Sequence, residues 1–447
     1  MLMEIPFTHE TAGVFTDAVG MAGLDHSSFG ALMPRAAKSL ELLRGRKTSG
    51  ELPLLALPGR RDDILAWQPI VDRYRSQFDD VVVLGIGGSS LGGATLCRLA
   101  DAGFGPAKGS PRVRFLDNID PWTFDDLMGR LDLGRTGFLS VSKSGGTAET
   151  IAQTLAVLDR LNQRFGADDL ATRVTVIAEH TDNPLRQIAG HFGVFCLDHD
   201  PKIGGRYSAL SVTGLLPAAI AGVDVEAVRR GAGAVLDAAL SADSPEQSGP
   251  AAGAVINVGL ASGKEVSQTV VMPYVDRLDR FGAWFRQLWA ESLGKDGHGT
   301  TPVDAMGAVD QHSQLQLYLG GPRDKLFTLF LADPAGHGPV AKAATAGPAA
   351  ASLDYLVGRS MGDLMAAEQR ATAETLVRNG CPTRIFRFPT LTPEVMGGLM
   401  MHFMLETIIA ADLMGVDPFD QPAVEEGKVL ARQYLSEGIS AKGPDDR

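Results

Sequence analysis

The chain has only three cysteines among its 447 residues, few aromatic residues and no excess of positive charge. Cys97, Cys196 and Cys381 show neither a pairing pattern nor metal-ligand spacing, which argues against a disulfide framework and a cysteine metal site. In their apolar surroundings, Cys97 and Cys196 are expected to be small core residues. The net charge of −12 disfavours nucleic acid or an anionic membrane as a partner. Since it also repels anionic substrates, any bound anion must be held by local donor groups.

The N-terminus lacks a basic segment followed by an apolar run, and no stretch of about 20 residues is apolar without interruption. These absences predict a cytoplasmic protein with no secretory signal and no membrane-spanning segment. The composition, 45% hydrophobic and 21% charged, is that of a globular protein that buries a large core. The length leaves room for about two or three domains.

Strands and helices alternate over two parts of the chain, which predicts an α/β fold with two parallel sheets. The first alternation begins near residue 75, and the second begins with a strand at residues 268–274. A long helical stretch is predicted at about residues 208–240, a polar turn or hinge at 241–250, and later helices at 352–370, 393–414 and 421–438. The predicted domains are a helical N-terminal segment (1–75), a first module (76–225), a second module with C-terminal helices (226–440) and a disordered tail (441–447).

The most informative segment is VSKSGGTAET, residues 141–150, which follows a predicted buried strand and opens a predicted helix. It places Ser142, Lys143, Ser144 and Thr147 around two glycines. Hydroxyls and free backbone N–H groups converge in such a turn, and the helix N-terminus adds partial positive charge, as a phosphate monoester requires. The same residue types also cap helices and form turns without any ligand, so a purely structural alternative stands beside phosphate binding.

A second turn of this kind, VVVLGIGGSSLGG at residues 81–93, lowers the weight of that alternative. Its apolar run is continuous, as in a parallel strand covered on both faces, and Gly88 and Ser89 follow at the carboxyl end. It is not a Walker loop, because no GK[ST] sequence closes it. It is not a clean dinucleotide fingerprint either, since Ser90 stands where the third glycine belongs. Asp117, at the end of the next strand, keeps a nucleotide-binding alternative open.

Four further clusters contain candidate catalytic residues. They are Arg206 at a helix start in GGRYS, Glu291 near a helix end in ESLGK, His312 before a helix in VDQHSQ, and Gln421 with Lys428 on one helix face in FDQPAVEEGK. Each has a structural alternative: an ion pair of Glu291 with Lys295, a helix cap for His312, a surface carboxylate for Arg206, and solvent for Lys428. The other histidines show no ligand-type spacing, so no metal site is expected.

Taken together, these segments resemble phosphoglucose isomerase. GIGGSSLGG, SKSGGTAET, GGRYSALS, ESLGK with Gln287 four residues before Glu291, HS at His312, and FDQPAVEEGK follow the family's order from about residue 81 to residue 428. Five or six segments in one order are highly specific, and the length suits the shorter bacterial members. This agreement lowers the weight of each individual structural alternative.

The resemblance implies two parallel-sheet modules of the sugar-isomerase (SIS) type in doubly wound layout, with helical N- and C-terminal segments. It implies aldose–ketose isomerisation between glucose 6-phosphate and fructose 6-phosphate, a step of glycolysis and gluconeogenesis, with no cofactor and no metal. It also implies a homodimer in which the residue corresponding to His312 reaches in from the partner subunit.

The resemblance further assigns a role to each candidate residue. Glu291 would carry a proton between C1 and C2, Arg206 would stabilise the enediolate, and His312 with Lys428 would open the sugar ring. Gln287 and Gln421 would orient sugar hydroxyls. The phosphate would be held by Ser89, Ser142, Ser144 and Thr147, with the backbone of Gly88 and Lys143. One departure is Gly146, where members often carry a second threonine, so we expect retained function with a slightly different phosphate geometry.

Three other functions compete with this one. A non-catalytic sugar-phosphate-binding regulator would keep the Ser/Thr turns but would not need the Glu, His and Lys set. An isomerase of another hexose or amino-sugar phosphate would keep the same set, although FDQPAVEEGK favours the glucose enzyme. A nicotinamide-dependent oxidoreductase would require the glycine spacing that Ser90 interrupts.

Overall fold

The computed structural model describes residues 4–438 and confirms the predicted α/β class, with two five-stranded sheets. The strands, in chain order, are β1 (Thr8–Glu10), β2 (Asp80–Leu84), β3 (Arg112–Leu116), β4 (Thr136–Val141), β5 (Val174–Glu179), β6 (Phe195–His199), β7 (Gln268–Pro273), β8 (Thr301–Asp304), β9 (Lys325–Leu331) and β10 (Thr383–Arg387). The two short strands β1 and β8 were absent from the sequence prediction.

The first sheet has the order β3-β2-β4-β5-β6 and is parallel throughout. The chain leaves β2 toward β3 on one side and returns with β4 on the other, so the strand order reverses between β2 and β4. In open parallel sheets, ligands bind in the crevice at the carboxyl ends of the strands that flank such a reversal. The two glycine turns that the sequence singled out, after β2 and after β4, therefore border this crevice.

The second sheet has the order β1-β10-β9-β7-β8, and the N-terminal strand β1 is its one antiparallel member, paired with β10 at the edge. Each sheet holds the strands of one predicted module, apart from β1. We therefore propose residues 76–225 and 226–440 as the two modules and residues 1–75 as a segment that packs on them. The predicted disordered tail at 441–447 lies outside the described residues.

The α-helices are more numerous than the sequence predicted. In chain order they are α1 (Thr16–Val19), α2 (His26–Ser49), α3 (Asp62–Gln77), α4 (Leu91–Cys97), α5 (Pro121–Arg130), α6 (Ala148–Phe165), α7 (Leu170–Arg173), α8 (Pro184–His191), α9 (Val212–Ile220), α10 (Val225–Ser241), α11 (Gly249–Gly263), α12 (Asp279–Leu293), α13 (Val309–Ser313), α14 (Leu315–Gly320), α15 (Ala343–Ala346), α16 (Met361–Arg378), α17 (Pro393–Met414) and α18 (Glu425–Glu437).

The stretch predicted to be helical at residues 208–240 is helical over most of its length, but it is not one continuous helix. A 3-10 turn at Gly205–Leu210, α9 and α10 replace it. Gly222 has a φ of +95°, which ends α9, and the Asp224 side chain accepts a hydrogen bond from the Ala227 N–H to begin α10. The helix predicted at 352–370 is also displaced, because Ser360 and Asp363 form a capping box at the start of α16.

The core lies between the sheets, around α17. This helix is long and apolar enough to cross a membrane by length and composition, but nearly all of it is buried inside the protein. It packs against α10 and α11, where Gly231 of α10 and Gly397 of α17 sit at the contact. A Cβ on Gly397 would lie 1.9 Å from the Val228 carbonyl oxygen, so the helices approach closely only because a side chain is missing there.

Three buried polar side chains meet where β10 approaches α17. Arg384 and Glu406 form an ion pair at 2.9 Å with both side chains fully buried, and His402 Nε2 lies 3.1 Å from the same carboxylate. His9 of β1 stacks on Phe386, with ring centroids 4.3 Å apart. Burial lowers the pKa of both His9 and His402 from the ordinary value of 6.5, because the charged form loses solvation.

The three cysteines are free thiols, as expected. Cys97 is buried at the end of α4, and its burial raises the pKa of its thiol. Cys196 on β6 is half-buried beside the core of the first module. Cys381 is buried before β10.

Candidate active site

The phosphate-type turn after β4 is held in a conformation that only glycine allows. Gly145 has a φ of +63°, and a Cβ there would lie 1.8 Å from the Asn183 side-chain oxygen. Ser142 is buried, and its hydroxyl donates to the Thr147 hydroxyl at 3.0 Å. Thr147 precedes α6 but makes no side-chain capping hydrogen bond, which is against the purely structural alternative for this residue. The hydroxyls of Ser142 and Thr147 thus meet at the N-terminus of α6, where the first backbone N–H groups have no partner within the helix.

Two other residues of this turn are more open to solvent. Ser144 is exposed, and its hydroxyl accepts a hydrogen bond from the Gly146 N–H at 3.3 Å. Lys143 is half-buried, and its ammonium lies 3.7 Å from the Glu179 carboxylate. The Lys143 side chain is therefore turned to a carboxylate, which leaves its backbone as the group available to an anion.

The turn after β2 is packed against the GGRYS segment. Gly87, Gly88 and Ser89 form a 3-10 turn, and Gly87 has a φ of +58°. Gly88 meets the backbone of Gly205, and the Ser208 hydroxyl donates to the Gly88 carbonyl oxygen at 3.1 Å. This contact brings the turn after β2 to the base of the Arg206 side chain.

Arg206 is buried and uses all five of its N–H donors. Its Nη1 donates to the Glu291 carboxylate at 3.1 Å and to the Gln421 side-chain oxygen at 2.9 Å. Its Nη2 donates to the carbonyl oxygens of Pro418 at 2.7 Å and Asp420 at 2.8 Å. Nε donates to the hydroxyl of Ser292 at 2.9 Å. Arg206 is therefore not a surface arginine paired with a surface carboxylate, as the structural alternative assumed.

Gln287 and Glu291 lie one turn apart on α12, opposite a face of buried aromatic residues. The Gln287 Nε2 donates to the Glu291 carboxylate at 3.2 Å. It also lies so near the glycine turn that a Cβ on Gly87 would be 2.9 Å from it. The Gln287 Oε1 is buried without a hydrogen-bond partner among the described residues. A buried acceptor without a donor is costly, so this oxygen is available to a ligand hydroxyl.

Tyr207 supports this cluster from behind. Its hydroxyl lies 3.0 Å from the Ser292 hydroxyl, and burial raises the pKa of Tyr207 to about 12. The phenol is thus neutral at ordinary pH. Together with Arg206, it fixes Ser292 at the end of α12 next to Glu291.

Three residues that the sequence analysis did not select complete the surroundings of Arg206. They are Ser292, Lys295 and Asp420. Lys295 Nζ lies 2.7 Å from the Asp420 carboxylate, so the alternative pairing of Lys295 with Glu291 does not occur. The available signal was their place inside the motifs ESLGK and FDQ, within four residues of Glu291 or Gln421.

His312 and Lys428 are not brought to this cluster. His312 is exposed on α13 and makes no hydrogen bond or ion pair with any described residue. Lys428 is exposed on α18, where its ammonium lies 2.7 Å from Glu425. Every described residue from 422 onward is exposed, including the apolar side chains of Val429, Tyr434 and Leu435 on α18.

Across residues 4–438, no group of three or more His, Cys, Asp and Glu side chains is arranged to hold a metal ion. The arrangement has one carboxylate, a guanidinium bonded to it and two amides, beside two turns rich in N–H and hydroxyl groups. It can bind an anion at the turns and move a proton at the carboxylate, while the guanidinium stabilises negative charge on oxygen.

The chain is similar in sequence to known phosphoglucose isomerases. A family model described as phosphoglucose isomerase matches residues 71–325. A glucose-6-phosphate isomerase from Rubrobacter xylanophilus is 38% identical over 382 residues, which cover 84% of this chain and 87% of the relative. An enzyme of that name from Thermus thermophilus is 36% identical over 427 residues, covering 92% and 98%.

Two solved structures superpose on this chain. A hypothetical protein from Thermus thermophilus has a TM-score of 0.82 and 33% sequence identity, covering 96% of this chain and 100% of that one. A glucose-6-phosphate isomerase from Chlamydia trachomatis has a TM-score of 0.73, covering 86% and 74%. At 21% identity, the second likeness is one of fold.

Proposed function

The chain belongs to the phosphoglucose isomerase family, and from that premise we propose that it interconverts glucose 6-phosphate and fructose 6-phosphate with Glu291 as the base. The observation that carries this mechanism is the contact of Glu291 with Arg206. A carboxylate held 3.1 Å from a buried guanidinium, on a helix that faces the glycine turns, places a base and an oxyanion partner side by side. Glucose–fructose phosphate isomerisation is a step of glycolysis and gluconeogenesis, and we propose a cytoplasmic location for it.

The phosphate of the substrate would bind between the two glycine turns. Its oxygens would accept hydrogen bonds from hydroxyls and from the backbone N–H groups of Gly88 and Lys143. The hydroxyls proposed for this role are those of Ser89, Ser142, Ser144 and Thr147. Since the phosphate lies far along the sugar from C1 and C2, its binding energy positions the reacting carbons without taking part in the chemistry.

The proton transfer would proceed through an enediolate. Glu291 takes the proton from C2 of the open-chain aldose, and the electron pair of that C–H bond forms the C1–C2 double bond as negative charge moves to O1. The Arg206 guanidinium stabilises that charge. Glu291 then returns the proton to C1, and the O2 hydroxyl proton moves to O1 as the C2 ketone forms. One carboxylate serves both carbons because the intermediate is planar.

Orientation of the sugar would fall to the two amides beside Glu291. The buried Oε1 of Gln287 lacks a partner among the described residues and accepts a sugar hydroxyl. The Gln421 side-chain oxygen accepts from the same Arg206 Nη1 that donates to Glu291. Both contacts would bring C2 within reach of Glu291.

Ring opening would need His312 and Lys428, and we propose that the working enzyme is a homodimer. His312 is exposed, and its side chain makes no hydrogen bond or ion pair with a described residue, which fits a residue delivered to the partner's site. The apolar side chains on α18 are 48–64% exposed for Val429, Tyr434 and Leu435, a face that a second copy would cover. Closure of α18 would also bring Lys428 toward the sugar.

The test is a coupled assay. Fructose 6-phosphate is mixed with the protein, glucose-6-phosphate dehydrogenase and NADP, and NADPH formation is followed. Glu291→Gln keeps the shape but removes the base, so kcat should fall by about 10³-fold or more while fructose 6-phosphate binding persists. The matched control is Glu41→Gln, which alters an exposed carboxylate on α2 and should leave turnover unchanged. Near-normal turnover of Glu291→Gln would refute its role as the base.

A further inference from the structure

Residues 417–421, the Gln421 loop, connect α17 to the C-terminal helix and are held from two sides. Arg206 donates to the carbonyl oxygens of Pro418 and Asp420. Lys295 forms an ion pair with the Asp420 carboxylate at 2.7 Å and donates to the main-chain oxygen of Asp417. Each cation therefore contacts both the body of the protein and this short loop.

Lys295 is well placed to connect α12 with the loop. It follows Gly294 at the end of α12, the helix that carries Gln287 and Glu291. Its ammonium also donates to the Ser292 carbonyl oxygen at 3.2 Å, and its side chain is only 10% exposed. An ammonium so little exposed requires acceptors, and most of those it has lie on the Gln421 loop.

During the proposed reaction, Arg206 must change its hydrogen bonds, whereas Lys295 need not. Arg206 must turn at least one N–H toward the substrate oxygen, since all five of its donors are already engaged. Lys295 forms its hydrogen bonds and ion pair with Ser292, Asp417 and Asp420, and not with Glu291, Gln287 or Gln421, so it can keep these bonds throughout. The loop therefore has one attachment that the chemistry disturbs and one that it does not.

We propose that Lys295 is a positioning residue, which holds the Gln421 loop in place so that Gln421 meets the substrate while Arg206 is engaged with the enediolate. This inference rests on the proposed isomerase function. Lys295 acts through the loop, so its contribution should depend on the presence of the Gln421 side chain.

A double-mutant cycle tests that dependence. Lys295→Met removes the ammonium and keeps most of the unbranched side chain, and it should lower kcat/KM by about 10-fold or more. In a Gln421→Ala background, the same change should cost less than about 2-fold, because the side chain that Lys295 positions is gone. Lys295→Arg retains the charge and should restore part of the loss. Equal losses in both backgrounds would overturn the proposal.

A second variant distinguishes the proposed positioning role of Lys295 from misfolding of the Lys295→Met protein. Asp420→Asn removes the ion pair from the loop side, at a carboxylate that is 54% exposed, and should show the same coupling to Gln421→Ala with a smaller loss. The matched control is Lys325→Met. Lys325 is also nearly buried and paired with an aspartate, Asp324, but it lies at the start of β9 and should show no coupling.

Hydrogen–deuterium exchange decides the question without any substrate. Lys295→Met should speed amide exchange at Phe419, Asp420 and Gln421 by about 10-fold, whereas Lys325→Met should not. Unchanged exchange in Lys295→Met would overturn the proposal. A folded wild-type protein that fails to isomerise fructose 6-phosphate would refute the proposed function instead, and the exchange result would still show whether Lys295 orders the loop.

Discussion

Gly88 and Gly205 pack backbone against backbone, so that a Cβ on Gly88 would lie 2.2 Å from the Gly205 carbonyl carbon. The first residue belongs to the turn after β2, and the second immediately precedes Arg206. Their contact sets the separation between the proposed phosphate site and the proposed oxyanion partner. Any side chain at position 88 must push the two segments apart.

Gly88→Ala should therefore lower both stability and activity. The new methyl group meets backbone rather than a flexible side chain, and such overpacking costs about 1–3 kcal/mol of unfolding free energy. Because Arg206 shifts with Gly205, kcat should also fall. Urea unfolding and the coupled assay measure the two effects. Gly30→Ala is the control, since nothing lies within 4 Å of a Cβ there. Wild-type kinetics in Gly88→Ala would show that this spacing is unimportant.

Mixed dimers should reveal which subunit supplies His312. We expect Glu291→Gln and His312→Ala each to be nearly inactive alone. Co-expressed with separate tags, they form heterodimers in which one of the two sites combines a native Glu291 with a native His312 from the other subunit. If dimers form at random, activity should return to about a quarter of wild type. No recovery in purified heterodimers would place His312 in the site of its own chain.

Gly146→Thr should be accepted in the turn after β4. A Cβ at this position would have only the Ser144 side chain and carbonyl within 4 Å, at 3.8 Å or more, and the backbone is not in the left-handed region. The added hydroxyl gives the phosphate another donor, so KM for fructose 6-phosphate should fall by about 2- to 10-fold with kcat little changed. Gly146→Val is nearly the same shape without the hydroxyl and should not lower KM. An equal fall in both variants would assign the effect to rigidity.

Stability should decrease as the pH falls below 6.5. The folded-state pKa values of His9 and His402 are lowered by burial, so the unfolded chain binds protons that the folded chain excludes. Between each folded pKa and 6.5, the unfolding free energy falls by up to about 1.4 kcal/mol per pH unit and per histidine, and above 6.5 this contribution is constant.

Urea unfolding from pH 7.5 to 5 measures this slope. His9→Phe keeps a ring over Phe386 and should make the slope shallower. Val157→Ala, which alters packing in the separate hydrophobic core of the first module, should shift stability equally at every pH. A slope that His9→Phe leaves unchanged would contradict the assignment.

The strands that border the crevice were predictable from the sequence, because a strand that is buried on both faces consists of a continuous run of apolar residues. Val81, Val82 and Val83 are completely buried in β2. The sequence also located α17 to the residue, from Pro393 at its first turn to Gly415 after its end. It missed α11, whose glycine- and alanine-rich sequence is buried around most of its surface and shows no polar stripe.

The sequence named Arg206, Gln287, Glu291 and Gln421, which the structure brings together, but it did not predict how they meet. Arg206 lies 85 residues from Glu291 and 215 from Gln421, and their meeting depends on how the modules pack. Lys295 was missed because a lysine four residues after a glutamate on a helix usually forms a surface ion pair with it. Asp420 was missed with it. The ion pair between Lys295 and Asp420 joins two motifs that are far apart in the sequence, and local residue spacing does not predict it.

The saturated hydrogen bonding of Arg206 determines how the empty site and the reacting site differ in energy. An arginine with a free N–H would gain a new bond when an enediolate forms, whereas Arg206 can only exchange one acceptor for another. The side-chain oxygens of Glu291 and Gln421 can withdraw by side-chain rotation, whereas the carbonyl oxygens of Pro418 and Asp420 can withdraw only if the Gln421 loop moves. Once Glu291 has taken a proton, its oxygen becomes a weaker acceptor. In the proposed reaction, the guanidinium would then be released toward the sugar as negative charge arrives there, so that protonation of Glu291 would link proton transfer to oxyanion stabilisation.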